Sequence, residues 1–269
     1  MFSSTGNFKA DIVFLVDSSL GVTDNNFNVE KLFITRLSEV LNLSPRNSRV
    51  AVVLYALYPR LAVRLGILQT PESLSSILDG LTRIEGNRRM DNALEYASKL
   101  FDDSRPGVRK IVVMLTAGPQ SAGGKPLLKA VEPLGTIGAR IYVIAVGNQV
   151  NVTELTSVVN RKEDIQRVRS FQRLISNVKP IGDYIMNGKF TFIYANHSNS
   201  TSVVFGISGI SSKKCVSNAN VLLPAKRQKQ QPNPTLRNKP DTNNNPISNR
   251  CLLLDLPEDF YHRSPNYLH

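Results

Sequence analysis

Apolar residues in the first two-thirds of the chain fall into short continuous runs that alternate with stretches of helical spacing. Runs such as ADIVFLV and KIVVMLT are almost wholly apolar, which is typical of strands buried on both faces. They predict strands at 10–16, 49–56, 61–65, 110–116, 139–147 and 165–168. The intervening stretches predict helices at 25–41, 90–101, 125–137, 151–160 and 170–186, and another that begins at Thr70-Pro71-Glu72.

Each predicted helix has one apolar face for packing. In the helix at 25–41 this face is expected to consist of Phe27, Leu32, Ile34, Leu37 and Leu41. The turn Pro59-Arg60 lies between two predicted strands and indicates a β-hairpin. Because apolar strands alternate with helices, residues 8–188 are expected to form an α/β domain, with a doubly wound, mostly parallel sheet and helices on both faces.

The composition changes near Phe190, where FTFIYA could add one more strand. Ser, Asn, Pro, Lys and Gln then dominate, as in residues 225–246. Such a stretch buries too little apolar area to offset the entropy of ordering it. Residues 189–269 are therefore expected to form a low-complexity, mostly disordered tail, with a short apolar segment at 252–262. Cys215 and Cys251 lie in this tail and are expected either to clip it or to stay free.

The net charge of the chain indicates which classes of molecule it could bind. The chain carries 33 Lys and Arg against 21 Asp and Glu, a net charge of +12, which favours acidic partners such as sulfated glycans. Trp is absent and no nucleic-acid-binding motif is present, so we expect no nucleic-acid partner. No apolar run is long enough to span a membrane, and the first ten residues lack the apolar region of a signal peptide.

Candidate chemistry is expected where parallel strands end, because ligands bind at the carboxyl edge of open α/β sheets. Asp17-Ser18-Ser19-Leu20-Gly21 follows the first strand, and Thr116-Ala117-Gly118-Pro119 follows the strand at 110–116. All three His lie in the tail with both Cys, which argues against nucleophile–base pairs and zinc sites in the body. A rival hypothesis is an intracellular protein that binds a nucleotide phosphate through the loop Gly118–Lys125, although Pro126 replaces the hydroxyl of a P-loop.

The ordered blocks DIVFLVDSS, RVAVVLYA, GNRRMDNALEYASKLF, KIVVMLTAG and ARIYVIAVG resemble a von Willebrand factor type A domain. The likeness covers residues 8–188 and is greatest to the extracellular A domains of collagen VI, matrilins and related matrix proteins. Phe171 and Leu174 also fit that group. The resemblance implies a Rossmann-like fold and a non-enzymatic interaction or adhesion module of an extracellular matrix or cell-surface protein.

Many members of that family carry a metal-ion-dependent adhesion site, in which hard oxygen ligands hold Mg²⁺. The resemblance places its ligands at five positions here, and two of them match, Asp17 and Ser19. Gly21 stands where the family has a second Ser, Arg88 where it has Thr, and Ala117 where it has Asp. We therefore expect no metal cofactor, with the Arg88 guanidinium paired to Asp17 instead. The alternative is that Asp17 and Ser19 hold a weakly bound, mostly hydrated Mg²⁺.

Partner binding is assigned to the same edge of the sheet, through Asp17, Ser19, Arg88 and Arg89, with the two guanidinium groups meeting an acidic partner. Local structural roles compete with this hypothesis. Asp17 would cap the next turn, Ser19 would cap the helix at 25–41, and Arg88 and Arg89 would form a solvated loop pair. Four sequons, at Asn42, Asn151, Asn196 and Asn199, predict N-glycosylation if the chain is secreted.

Overall fold

The computed structural model describes residues 8–66, 70–188, 190–195 and 201–206. Cys215, Cys251, the sequons at Asn196 and Asn199, and the segment 252–262 lie outside the described residues. Within them, no helix is long and apolar enough to cross a membrane.

A six-stranded sheet forms the centre of the domain. Its strands are β1 (Ala10–Asp17), β2 (Arg49–Tyr55), β3 (Pro59–Val63), β4 (Arg109–Thr116), β5 (Arg140–Val146) and β6 (Ile165–Val168). Their order in the sheet is β3-β2-β1-β4-β5-β6, with β3 antiparallel to β2 and all other neighbours parallel. The strand order reverses between β1 and β4, so their carboxyl ends border the switch point of the sheet. The predicted mostly parallel, doubly wound sheet is confirmed.

Helices cover both faces of this sheet. They are α1 (Asp24–Val40), α2 (Pro71–Asp79), α3 (Met90–Leu100), α4 (Leu127–Ala130), α5 (Glu132–Thr136), α6 (Val152–Leu155), α7 (Phe171–Leu174) and α8 (Val178–Asn187). The helix α1 packs with α2, α7 and α8, whereas α3 packs with α4 and α5. Alternate residues of β1 enter two separate cores, with Phe14 in one and Leu15 in the other, so the strand must be apolar on both sides.

A separate hairpin follows the domain. Residues Phe190–Ala195 form β7, which pairs antiparallel with β8 at Thr201–Gly206. The strand expected at FTFIYA is therefore present. The sequence did not predict its partner β8, because Thr201–Gly206 follows a polar Asn- and Ser-rich stretch.

Two local predictions were wrong near β3 and α1. Pro59-Arg60 is not the turn of the hairpin, because both residues begin β3 and the turn is formed by 56–58. Proline is tolerated there because β3 is an edge strand, where a missing amide costs no ladder hydrogen bond. On α1, Leu32 is exposed, and the neighbouring Phe33 takes the buried position instead.

Three predicted helices are shorter than expected or interrupted. The stretch 125–137 divides into α4 and α5, because Pro133 has no amide to continue the ladder. The stretch 170–186 is broken by a 3₁₀ turn at Ile175–Asn177, shortly before Pro180. The stretch 151–160 is helical only over α6, since the Thr156 and Ser157 hydroxyls donate to main-chain carbonyls of that helix.

The amino end of β1 is held by a buried charge cluster. Asp11 is fully buried and accepts two hydrogen bonds from the Arg49 guanidinium, at 3.0 and 2.8 Å, and others from the Arg105 main chain and guanidinium. Burial alone would raise the Asp11 pKa, but the bonds from Arg49 and Arg105 outweigh it and hold that pKa below its ordinary value. Asp11 therefore joins β1 to β2 and to the chain that precedes β4.

We predict that Asp11→Asn destabilises the domain by about 3 kcal/mol, because removing one partner of a buried charge pair leaves the others uncompensated. Urea unfolding monitored by circular dichroism measures this loss. The control is Asp103→Asn, which removes an exposed carboxylate that lies 3.8 Å from Arg64. We expect less than about 1 kcal/mol there. Equal losses for the two variants would contradict a special role for Asp11.

Candidate functional site

The candidate site lies at the carboxyl ends of β1 and β4. Asp17 is the last residue of β1 and Thr116 the last of β4. The loop that precedes α3 brings Arg88 to the same place, and the loop after β1 brings Gly21. The structure thus assembles all five positions of the predicted adhesion site around Asp17.

Every oxygen of the Asp17 carboxylate is occupied. Oδ1 accepts from the Ser19 amide at 3.1 Å and from the Ser19 hydroxyl at 2.6 Å. Oδ2 accepts from Arg88 Nε at 2.6 Å and from the Ala117 amide at 3.0 Å. Because Asp17 is also completely buried, its charge is compensated by fixed protein donors on all sides.

The Arg88 guanidinium lies between two glycines. A Cβ placed on Gly21 would come within 2.5 Å of Arg88 Nη2, and one on Gly118 within 2.5 Å of Nη1. Neither glycine has a positive φ, so close approach of the guanidinium explains why no side chain fits at these positions. Gly21 replaces the second Ser of the family pattern, and the hydroxyl of a serine would occupy space that Arg88 fills.

This set of groups does not fit a divalent cation. Asp17 is the one carboxylate at the five positions, and its Oδ2 already receives two hydrogen bonds, from Arg88 and Ala117. The guanidinium adds a fixed positive charge that would repel a second cation. Metal coordination would require Arg88 to leave its place between Gly21 and Gly118.

Of the two predicted capping roles, that of Asp17 is confirmed and that of Ser19 is wrong. Asp17 does close the next turn through the Ser19 amide, as predicted. Ser19 does not cap the helix at 25–41, because its hydroxyl donates to Asp17. Thr23 takes that role, and its hydroxyl accepts from the Asn26 amide at 3.3 Å.

Arg88 and Arg89 are not a solvated loop pair. The side chains are 10% and 20% exposed, respectively. Arg89 donates to both carboxylate oxygens of buried Asp91, at 2.9 and 2.7 Å. Each guanidinium is thus committed to its own aspartate, and partner binding through Arg88, Arg89, Asp17 and Ser19 stays a prediction.

The loop Gly118–Lys125 is bound to the Arg88 loop and to α3. The Ser121 amide donates to the Arg88 carbonyl, and the Ser121 hydroxyl accepts from the Arg88 amide. The Lys125 amide donates to Asp91, and its ammonium pairs with Glu95 at 2.6 Å. The lysine that would contact a phosphate in the rival hypothesis therefore already has a carboxylate partner.

A second acidic group under the site was missed by the sequence analysis. Glu30 of α1 is fully buried, and neither carboxyl oxygen has a hydrogen-bond partner in the described part of the chain. Burial raises its pKa well above the ordinary value, and the Asp17 charge raises it further, whereas Arg88 opposes the rise. Position 30 falls on the buried stripe between Phe27 and Ile34, so helical spacing alone would have revealed it.

Tyr55 completes the buried layer below the site. Its hydroxyl donates to the Leu115 carbonyl at 2.7 Å and so links β2 to β4 across β1. Burial raises the Tyr55 pKa well above its ordinary value, and the Asp17 charge adds to the rise. The phenol is therefore neutral and serves as a fixed hydrogen-bond donor.

Two of the four sequons lie in described segments. Asn42 is exposed directly after α1 and has a left-handed backbone with a φ of 61°. Asn151 is exposed as well, and its side-chain oxygen caps α6 by accepting from the Glu154 amide. Glycosylation at both positions stays a prediction.

Comparison with known proteins gives one matching family. The sequence model of the von Willebrand factor type A domain matches residues 11–179. The human collagen alpha-1(VI) chain is 30% identical over 195 residues, which cover 65% of this chain and 19% of that one. The collagen alpha-1(XXI) chain of Xenopus laevis is 28% identical over 160 residues, which cover 59% of this chain and 16% of that one. The chain thus corresponds to a small part of these collagens.

Among solved structures, proximal thread matrix protein 1 from the mussel byssus is similar to this chain. The TM-score is 0.63 at 22% sequence identity, and the likeness covers 69% of this chain and 50% of that one. At this identity the likeness concerns the fold, and it agrees with the doubly wound sheet described above.

We predict that Glu30→Gln stabilises the domain increasingly as the pH rises from 5 to 7. Because the folded-state pKa of Glu30 is raised, the unfolded chain releases this proton first, and the native protein loses stability with rising pH. Above the ordinary pKa of a glutamate, the loss is about 1.4 kcal/mol per pH unit until the folded-state pKa is reached. Glutamine has no proton to release, so the variant lacks this contribution.

Chemical denaturation at several pH values measures the difference between the two proteins. Glu39→Gln is the control, because Glu39 is an exposed residue of the same helix. Stability–pH curves for Glu30→Gln and the native chain that run parallel would contradict the prediction.

Proposed function

Because the chain belongs to the von Willebrand factor type A domain family, we propose that it is a non-enzymatic interaction module of the extracellular matrix that binds its partner without a metal ion. The collagens that it resembles are matrix proteins, which supports an extracellular location and a matrix or cell-surface protein as partner. The net charge of +12 supports acidic glycans as additional ligands.

One observation carries the metal-independent part of this proposal, namely the position of the Arg88 guanidinium. It neutralises Asp17 at 2.6 Å and fills the space between Gly21 and Gly118. A tethered guanidinium thus supplies the positive charge that a bound cation supplies in other members of the family. The Arg88 side chain is 10% exposed, so little of the guanidinium is open to a carboxylate of the partner.

The absence of catalytic chemistry is supported by the composition of the domain. Residues 8–188 contain neither His nor Cys, and the buried acids Asp17 and Asp91 are each paired with an arginine. This pairing leaves neither aspartate free to act as a general base. We propose that Asp17, Ser19, Arg88 and Arg89 serve the partner surface by fixing the loops that present it.

We predict that millimolar Mg²⁺ does not raise the melting temperature of the native chain. A ligand that binds the folded state stabilises it by mass action, so a functional site would show a rise that EDTA reverses. The matched control is the triple variant Gly21→Ser, Arg88→Thr, Ala117→Asp, which restores the family's ligand set. We expect Mg²⁺ to stabilise this variant alone, and an EDTA-reversible rise for the native chain would contradict the proposal.

Partner binding should be equally independent of metal. We expect the full chain to bind immobilised extracellular matrix with the same affinity in Mg²⁺ and in EDTA, as measured by surface plasmon resonance. High salt should weaken the general basic attraction to glycans but not contacts within a defined interface. Loss of binding in EDTA would show that a metal ion takes part after all.

A further inference from the structure

Three exposed apolar side chains lie at the edge of the candidate site. Leu20 is 66% exposed in the loop after β1, and Leu57 and Tyr58 are 39% and 71% exposed in the turn between β2 and β3. They account for half of the six large apolar side chains that are exposed in the described part of the chain. We call Leu20, Leu57 and Tyr58 the apolar rim.

Gly86 lies between the two loops that carry the rim and contacts both of them. The Leu20 amide donates to the Gly86 carbonyl at 3.0 Å. A Cβ on Gly86 would lie 3.4 Å from Leu57 Cβ, so the second loop packs directly against this residue. Gly86 has a φ of 111°, a conformation that glycine adopts without strain.

The rim is held in place by the structure beneath it. The Arg89 amide donates to the Ala56 carbonyl at 3.0 Å, and the Ser18 amide donates to the Tyr55 carbonyl at 2.8 Å. The bond from Arg88 to Asp17 also joins the loop before α3 to the end of β1. A surface that is already rigid loses little conformational entropy when a partner binds.

One positive charge next to the rim has no carboxylate to neutralise it. In the segments 18–23, 56–60 and 80–91, Arg83 pairs with Asp24 and Glu85, while Arg88 and Arg89 each pair with an aspartate. Arg60, two residues after Tyr58, donates to the Thr82 carbonyl and has no carboxylate partner among the described residues. An acidic partner group is thus favoured beside Tyr58.

We propose that the apolar rim, with Arg60 beside it, binds a protein segment in which a large apolar or aromatic side chain neighbours a carboxylate. This inference rests on the proposed function and names the partner chemistry. The apolar side chain would cover Leu20, Leu57 and Tyr58, and the carboxylate would pair with Arg60. Burial of exposed apolar area replaces the energy that a metal–carboxylate bond would have supplied.

Panning a phage-displayed library of random peptides against the full chain at physiological salt tests this proposal. We expect the enriched peptides to share an aromatic or large aliphatic residue next to Asp or Glu. A labelled peptide from that set should bind roughly tenfold more weakly to Leu20→Ser and to Tyr58→Ser, measured by fluorescence anisotropy. Arg60→Gln should weaken it by several-fold.

Controls come from exposed residues elsewhere on the domain. Leu128→Ser removes an equally exposed leucine, at 61%, from α4, and Arg36→Gln removes an exposed charge from α1. Both should leave peptide affinity and melting temperature unchanged. Equal losses for Leu20→Ser and Leu128→Ser, enrichment of purely acidic peptides, or concentration-dependent dimerisation through the rim would overturn the proposal.

The same variants separate this inference from the proposed function. If the native chain binds matrix and Leu20→Ser and Tyr58→Ser bind it equally well, the rim is not the contact surface although the function stands. If the native chain does not bind matrix and panning enriches no peptide, the proposed interaction function itself is wrong.

Discussion

The buried pair of Asp17 and Arg88 is the interaction on which the candidate site depends. Its two members lie 71 residues apart and join the end of β1 to the loop before α3, while Asp17 also binds the loop after β4. Loss of Arg88 would leave a fully buried carboxylate with a buried, unpaired Glu30 nearby, and both charges would be disfavoured. The guanidinium therefore does more than exclude a cation, because its positive charge offsets the free-energy cost of burying these acidic groups.

Three positions form one unit with this pair. Gly21 and Gly118 leave space for the guanidinium, and Ala117 contributes an amide to Asp17 where the family pattern has a carboxylate. A change at any one of them alone would place a side chain against Arg88 or a second charge beside Asp17. Such coupled sites are not additive, so the replacement of a metal ion by an arginine requires several compatible substitutions.

The sequence predicted the sheet well because strands buried on both faces must be apolar throughout. It also predicted the pairing of Arg88 with Asp17, since family resemblance brought both to one place. It did not predict that Arg89 pairs with Asp91, because this contact depends on the backbone conformation where the chain enters α3, between Arg89 and Asp91. The burial of Glu30 was missed because a charged residue on a helix is ordinarily solvated. Pro59 was assigned to a turn because an edge strand cannot be recognised from composition.

The position of β1 has a consequence for the order in which the protein can fold. This strand precedes the other five strands of the sheet in the sequence, yet it lies in the middle of the sheet, between β2 and β4. Its buried Asp11 meets Arg105 across 94 residues, and Asp17 meets Arg88 across 71. A nascent chain that ends before Arg88 lacks the guanidinium that pairs with Asp17, and one that ends before Arg105 lacks one of the two that bind Asp11. On the ribosome, β1 must therefore remain outside its native environment until β4 and the loop before it have been synthesised.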